Sequence, residues 1–359
     1  MKGPNSERPR ISTEYTYKGV EMAVLENRYL RIEVLTGKGG DIIAFRDKQS
    51  DVNPLWRSHH DWVAPTEVAL PKGDGTAWTD YYPGGWQVNL PVAGEGMTVA
   101  GAEYGLHGES ALLPFTATVG RDDGEAVSLE LAADLVRYPF RIERTLTLPA
   151  NEARLHVDET VTNRGEVPLE FIWQHHIALG PPLVGPEARL DVPATSGLVD
   201  DYSDGGYENG RLQGESTFEW PNAPGRDGET VDLRSFPPRD AKVNDMAYAI
   251  GLDDGWYAVT NPKLNLGFGV TFPADLYESV WYWQPLGGEM DSPFFGRNYN
   301  VGLEPTTAYP GHDIPEKQRE NGSIDTLEPG ESKSAELTAH SYRDIDSVEQ
   351  LDATEGVVS

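Results

Sequence analysis

The chain of 359 residues contains no cysteine, so disulfides and thiolate metal sites are excluded at the outset. It also lacks any uninterrupted apolar run of about 18 residues, and its start, Met-Lys-Gly-Pro-Asn-Ser-Glu-Arg-Pro-Arg, carries no apolar core. Neither a membrane span nor a signal peptide is expected, which leaves the cytoplasm as the expected location. Positive charge is scarce. Lys and Arg total 29 against 58 Asp and Glu, a formal net charge of −29. Such a chain repels polyanions and acidic lipid surfaces, so neither nucleic acid nor a membrane is an expected partner. The acidity is spread along the chain rather than gathered in a tail, which keeps a surface hydrated in concentrated salt, where screening weakens self-repulsion. We therefore expect a salt-loving host and do not take the acidity as a clue to substrate.

What the chain does have is turn chemistry: 38 Gly and 27 Pro punctuate segments rich in aromatic and β-branched residues. Tyr29–Leu35 alternates as a half-buried strand should, and Gly37-Lys-Gly-Gly40 turns it into Asp41–Asp47. Phe115–Val119 with Val127–Ala132, and Phe140–Leu148 with Ala153–Thr162, repeat the design, as do Met246–Leu252, Trp256–Thr260 and Leu266–Phe272. From about Pro186 to Lys242 periodicity fades, and long loops with short strands are expected. Helical flavour is confined to the tail after Arg343. The expected fold is all-β, a large antiparallel β-sandwich spanning residues 29–343, with an extension (1–28) before it and a tail (344–359) after it.

Chemistry concentrates at His175-His176, where the run Phe171-Ile-Trp-Gln-His-His-Ile-Ala-Leu-Gly-Pro-Pro182 ends in turn residues. Imidazoles at a strand end are candidates for a general acid, a metal ligand or a donor to sugar hydroxyls, or they simply tie down backbone. Glycines at 105 and 108 remove steric cover from His107, as a cavity or a plain turn would require. Gly84-Gly85 precede Trp86 and Gln87, a flat apolar face beside a two-sided amide, a pairing suited to the C–H face and hydroxyl rim of a sugar or equally to a packed core. His59-His60 falls in an irregular Trp- and Pro-rich stretch and reads as surface; His156 alternates with Leu155 and Val157 and reads as sheet surface. The aromatic strand Val280-Trp-Tyr-Trp283 suits a pocket wall or a homodimer contact.

From about Leu30 to Tyr342 the chain resembles the aldose 1-epimerase (galactose mutarotase) family. The resemblance is carried by a hairpin with Gly-Gly-Asp-Ile, Leu-His107-Gly, Tyr-Pro-Phe before a long strand pair with Val-Thr-Asn, the His-containing strand end, and Glu304-Pro. It implies a β-supersandwich and a monosaccharide or sugar derivative as partner, with no cofactor and no metal. It also implies His107 and His176 as catalytic histidines, the latter the general acid, with Glu304 as general base and Asp245 as a hydroxyl-binding carboxylate. Two departures stand out. The family's Arg upstream of Leu-His-Gly is replaced by Gly-Gly-Trp86-Gln87, and His176 is preceded by a second imidazole, which leaves the acid open between His175 and His176. His175, Trp86, Gln87, Asp245 and Arg297 are the expected substrate-binding set. The expected activity is interconversion of aldose anomers by acid/base ring opening. Its rivals are a non-catalytic sugar-binding protein, a hexose-phosphate epimerase or lyase, and a metal site built from His107, His175, His176 and Glu304.

Overall fold

A computed structural model of the protein describes residues 8–59, 76–99, 101–203 and 207–358. Two antiparallel sheets dominate it, as the strand pattern leads one to expect. The larger has eleven strands, and its centre runs Asp41–Asp47, Trp86–Asn89, Gln174–Leu179, Val301–Thr306, Ser279–Leu286 and Val243–Leu252. The smaller has eight, with Leu266–Thr271, Ser332–Tyr342, Arg154–Asn163, Phe140–Pro149 and Ala126–Asp134 in its middle. One continuous apolar core, from Leu25 and Val34 through Leu129, Leu146 and Val157 to Val270 and Leu337, lies between them.

Strict alternation explains how the small sheet closes this core. Along Phe140–Pro149 and Arg154–Asn163 every second residue is buried, so Ile142, Leu146, Leu155, Val157 and Val161 face inward while His156 lies half-exposed on the outside. Two of the inward positions are charged. Arg144 and Glu159 are cross-strand partners, fully buried, with Nε 2.6 Å from Oε1, and Arg144 also donates to the carbonyl of Gly40.

Arg10–Tyr17 and Val20–Glu26 pair with each other and extend the large sheet beyond Leu30–Leu35, so residues before 29 contribute strands to it. The helical expectation for the tail is corrected: Gln350–Asp352 and Gly356–Val358 form a hairpin whose Leu351 packs on Trp256 and Ala258. From 186 to 242 short strands alternate with long loops, as expected.

Candidate active site

The site is built where two central strands run side by side. Gln174 stands opposite Thr306 and Ala178 opposite Gly302, a register that sets His176 across from Glu304. Their side chains meet, with Nε2 of His176 3.3 Å from Oε1 of Glu304. Successive residues of a strand point to opposite faces, so only one of the two adjacent imidazoles can reach this surface. It is His176. The second carboxylate oxygen of Glu304 accepts a hydrogen bond from Nε2 of Gln174 at 3.0 Å, and Gln174 in turn accepts one from Asn89 at 2.8 Å. Gly302 lies two residues before Glu304 on the same face, and a side chain there would collide with the carboxylate.

His107 enters from a turn in which its own φ is 60°. Its backbone N–H donates to the carbonyl of Gly94, and its Nδ1 accepts from the N–H of Gly94 at 3.1 Å. The neutral ring therefore carries its proton on Nε2. The rings of His107 and His176 are 5.2 Å apart, and Trp78 touches both, at 4.3 and 5.0 Å between centroids. Together with Trp281, Trp283 and Phe294 these residues line a cavity of about 270 Å³, close to the lower end for small-molecule sites and enough for one pyranose ring.

Burial controls the charges. It pushes the Glu304 carboxyl well above its ordinary range and pulls His176 down to about 3. His107 is likewise held well below 6.5, first by burial and then by the neighbouring His176. A second cavity carboxyl, Glu289, is pushed up to about 7 by burial against the opposing effect of a hydrogen bond from Asn298.

Of the expected residues, His107, His176 and Glu304 come together. The other five do not line the cavity. His175 points between the sheets, where Nδ1 accepts from Trp86 at 3.0 Å and Nε2 meets the Tyr277 hydroxyl at 2.9 Å and Glu159 at 3.4 Å. Trp86 is buried with it, and Gly85 serves close approach to Ile42 rather than to a ligand. Gln87 shares the face of His176 but is engaged by Asp41, itself paired with the buried Lys38. Asp245 is occupied by Arg211, whose Nε lies 2.8 Å away, and by the backbone N–H groups of Arg211 and Leu212. Arg297 is exposed on the loop carrying Phe294. The proposed four-ligand metal cluster fails on the same parity, since His175 and His176 face opposite ways. His59 is corrected from surface to half-buried, with its ring 6.4 Å from that of Phe294, and His60 lies outside the described residues.

The sequence reading missed Trp78, Glu289, Asp200 and His312. His312 Nδ1 bonds Asp200 and its Nε2 faces Lys317 Nζ at 2.7 Å. With Asp201 and Asp313 it forms the one described cluster whose ligand atoms lie close enough to share a metal ion, within 4.8 Å, yet both ring nitrogens are already engaged. A visible signal existed only for Trp281 and Trp283, which alternate on one strand face.

No curated protein sequence matches the chain. Among solved structures it is similar to a proposed aldose 1-epimerase from Klebsiella pneumoniae, at 18% identity over 93% of this chain and 83% of that one, with a TM-score of 0.71. A galactose mutarotase-like protein from Clostridium acetobutylicum is 12% identical over 94% and 99% of the two chains, with a TM-score of 0.65. A proposed aldose 1-epimerase from Escherichia coli K12 is 20% identical over 90% and 100%, with a TM-score of 0.60. At these identities the likeness is one of fold, the galactose mutarotase-like sandwich. Residues 17–340 match the family profile described as "Domain of unknown function (DUF4432)", and the chain is a member of that family.

Proposed function

We propose that the protein interconverts the anomers of an aldose, with Glu304 and His176 as the acid/base pair. The observation that carries this reading is the 3.3 Å contact between the two groups on the wall of a sugar-sized cavity. Ring opening takes the proton from the C1 hydroxyl and gives one to the ring oxygen, so it needs a base and an acid on either side of C1 and consumes no net proton. A Glu304 carboxylate that gains the C1-hydroxyl proton and a His176 imidazolium that gives one to the ring oxygen meet this need. After opening they stand as carboxylic acid and neutral imidazole, the form that burial favours, and closure on the other face restores the first state. In this reading the sugar's C1 hydroxyl and ring oxygen replace the direct contact between Glu304 and His176. His107 donates from Nε2 to a sugar oxygen, and the aromatic walls pack against its C–H face.

The test is anomer exchange followed by polarimetry or magnetisation transfer on a panel of aldoses, for the native protein and for Glu304→Gln. Native acceleration that vanishes in the variant supports the proposal. Equal rates in both, or saturable binding without acceleration, sink it, and the latter outcome favours a sugar-binding protein.

A further inference from the structure

Six of the twenty residues around the cavity are Asp or Glu, against 58 of 359 in the whole chain, and none of the twenty is Lys or Arg. The general acidity of the protein therefore does not account for its lining. Among the described residues, His312 and Lys317, the cations in contact with carboxylates of the wall, are already committed. His312 is paired with Asp200, and Lys317 sits against His312 Nε2, Asp313 and Glu215. Glu304 faces His176. Glu95, Asp201 and Glu289 have no ion-pair partner among the described residues; Glu95 accepts the backbone N–H of Asp313, Asp201 that of Ser203, and Glu289 the side-chain amide of Asn298.

Among the described residues the wall offers a phosphate or uronate several carboxylates and no guanidinium or ammonium of its own, a like-charge juxtaposition that disfavours binding, and the nearby positive charge of His312 and Lys317 is already shared among Asp200, Asp201 and Asp313. A cation meets the reverse. Carboxylates on the wall attract it, and the faces of Trp281, Trp283 and Phe294 add the electrostatic attraction of aromatic rings for positive charge. His107 is buried and lines the cavity, and its Nε2 N–H is available to a ligand oxygen. We propose that the cavity selects an amino sugar, a pyranose bearing a protonated amine, with Glu289 and the wall of Glu95 and Asp201 receiving the ammonium group. The inference rests on the sugar-site reading above and gives it a substrate class. The raised pKa of Glu289 agrees with it: an ammonium group replaces the proton that burial otherwise holds there, so binding releases a proton near neutral pH.

The experiment is calorimetric titration of the full chain at pH 6.5 with glucosamine and galactosamine, their N-acetyl forms, the parent hexoses and the hexose 6-phosphates, in 0.1 M and 2 M KCl. The amines are expected to bind about tenfold or more tightly than their acetylated and hydroxyl counterparts in low salt. The advantage should shrink in high salt, and the phosphates should not bind. Glu289→Gln, and separately Asp201→Asn, should each reduce the amine preference severalfold. Equal affinity for amine and hydroxyl sugars, or preferential binding of a phosphate, overturns the inference. If neutral aldoses are nonetheless anomerised through Glu304, the proposed function survives that failure; if no sugar binds, both fall.

Discussion

His176 and Glu304 face each other across neighbouring strands while His175, one peptide away, is sealed between the sheets against Trp86, Tyr277 and Glu159. This relationship makes the two histidines separable by mutation. His176→Asn should leave the thermal transition nearly unchanged and cut anomerisation by about 10²–10⁴. His175→Leu strands the indole N–H of Trp86 and the Tyr277 hydroxyl without partners, at about 1–3 kcal/mol each. It should lower the midpoint of denaturant unfolding while the folded fraction keeps its activity. Loss of activity without loss of stability in His175→Leu would contradict the assignment.

Glu304→Gln tests the other partner through pH. Because burial raises the folded-state pKa of Glu304 above its ordinary 4.5, the folded protein holds a proton that the unfolded chain has released. Stability on this account falls as pH rises above about 4.5 toward the folded-state value. The Gln variant removes that dependence. It should be more stable than the native protein at alkaline pH in denaturant titrations, while its activity falls by about 10²–10⁴. An unchanged pH dependence of stability would show that Glu304 is not held protonated.

Much of this architecture was legible in the chain, because alternation and turn residues are local signals. The hairpins from Leu30 to Asp47 and from Phe140 to Asn163 emerge at nearly their expected boundaries. The three residues that meet at the cavity, His107, His176 and Glu304, were also named from the sequence. Register was not legible. Which of His175 and His176 faces the cavity depends on pairing with strands some 90 residues before and 130 after, and the same missing information misplaced Trp86 and Gln87. Glu289 and Trp78 reach the cavity from a loop and a five-residue helix with no periodicity to mark them. Asp245 shows the opposite error: a carboxylate beside a cavity strand looks like a ligand contact until Arg211 is seen to occupy it.

Gln174 is a positioning residue, and its effect should be visible in a pH profile. Its amide donates to Glu304 and to Thr306, which favours the charged form of the carboxylate. Gln174→Met keeps the volume and removes the donor. The carboxyl pKa should rise further, moving the acidic limb of the kcat/KM profile to higher pH, with kcat falling more than KM changes. A uniform rise in KM with an unmoved profile would assign Gln174 to packing alone.

His312 offers a second titration of known sign. Burial and the neighbouring charge of Lys317 pull its pKa down, but the hydrogen bond to Asp200 and the charge of that carboxylate outweigh them and raise it above 6.5. Stability from this pair is fully present below about 6.5 and is lost as pH rises through the folded-state value. Asp200→Asn should bring the His312 resonance back to titrate at or below 6.5 by NMR and flatten the stability curve on the alkaline side. A His312 titration unmoved by the substitution would rule the pairing out.

The salt-loving character expected from a net charge of −29 has a local test on the outer face of the small sheet. Asp158 stands directly opposite Glu336, and burial followed by that like charge raises the Asp158 pKa. Such a pair is destabilising by roughly 0.2–1 kcal/mol, and screening at about 3 Å in 1 M salt relieves it. The native melting temperature should therefore rise from 0.1 M to 2 M KCl. Glu336→Lys converts the repulsion into a cross-strand ion pair, so it should raise the melting temperature at 0.1 M KCl and lessen the gain on adding salt. Parallel salt curves for the two proteins would mean that exclusion of salt from the surface, rather than screening of this repulsion, governs the response.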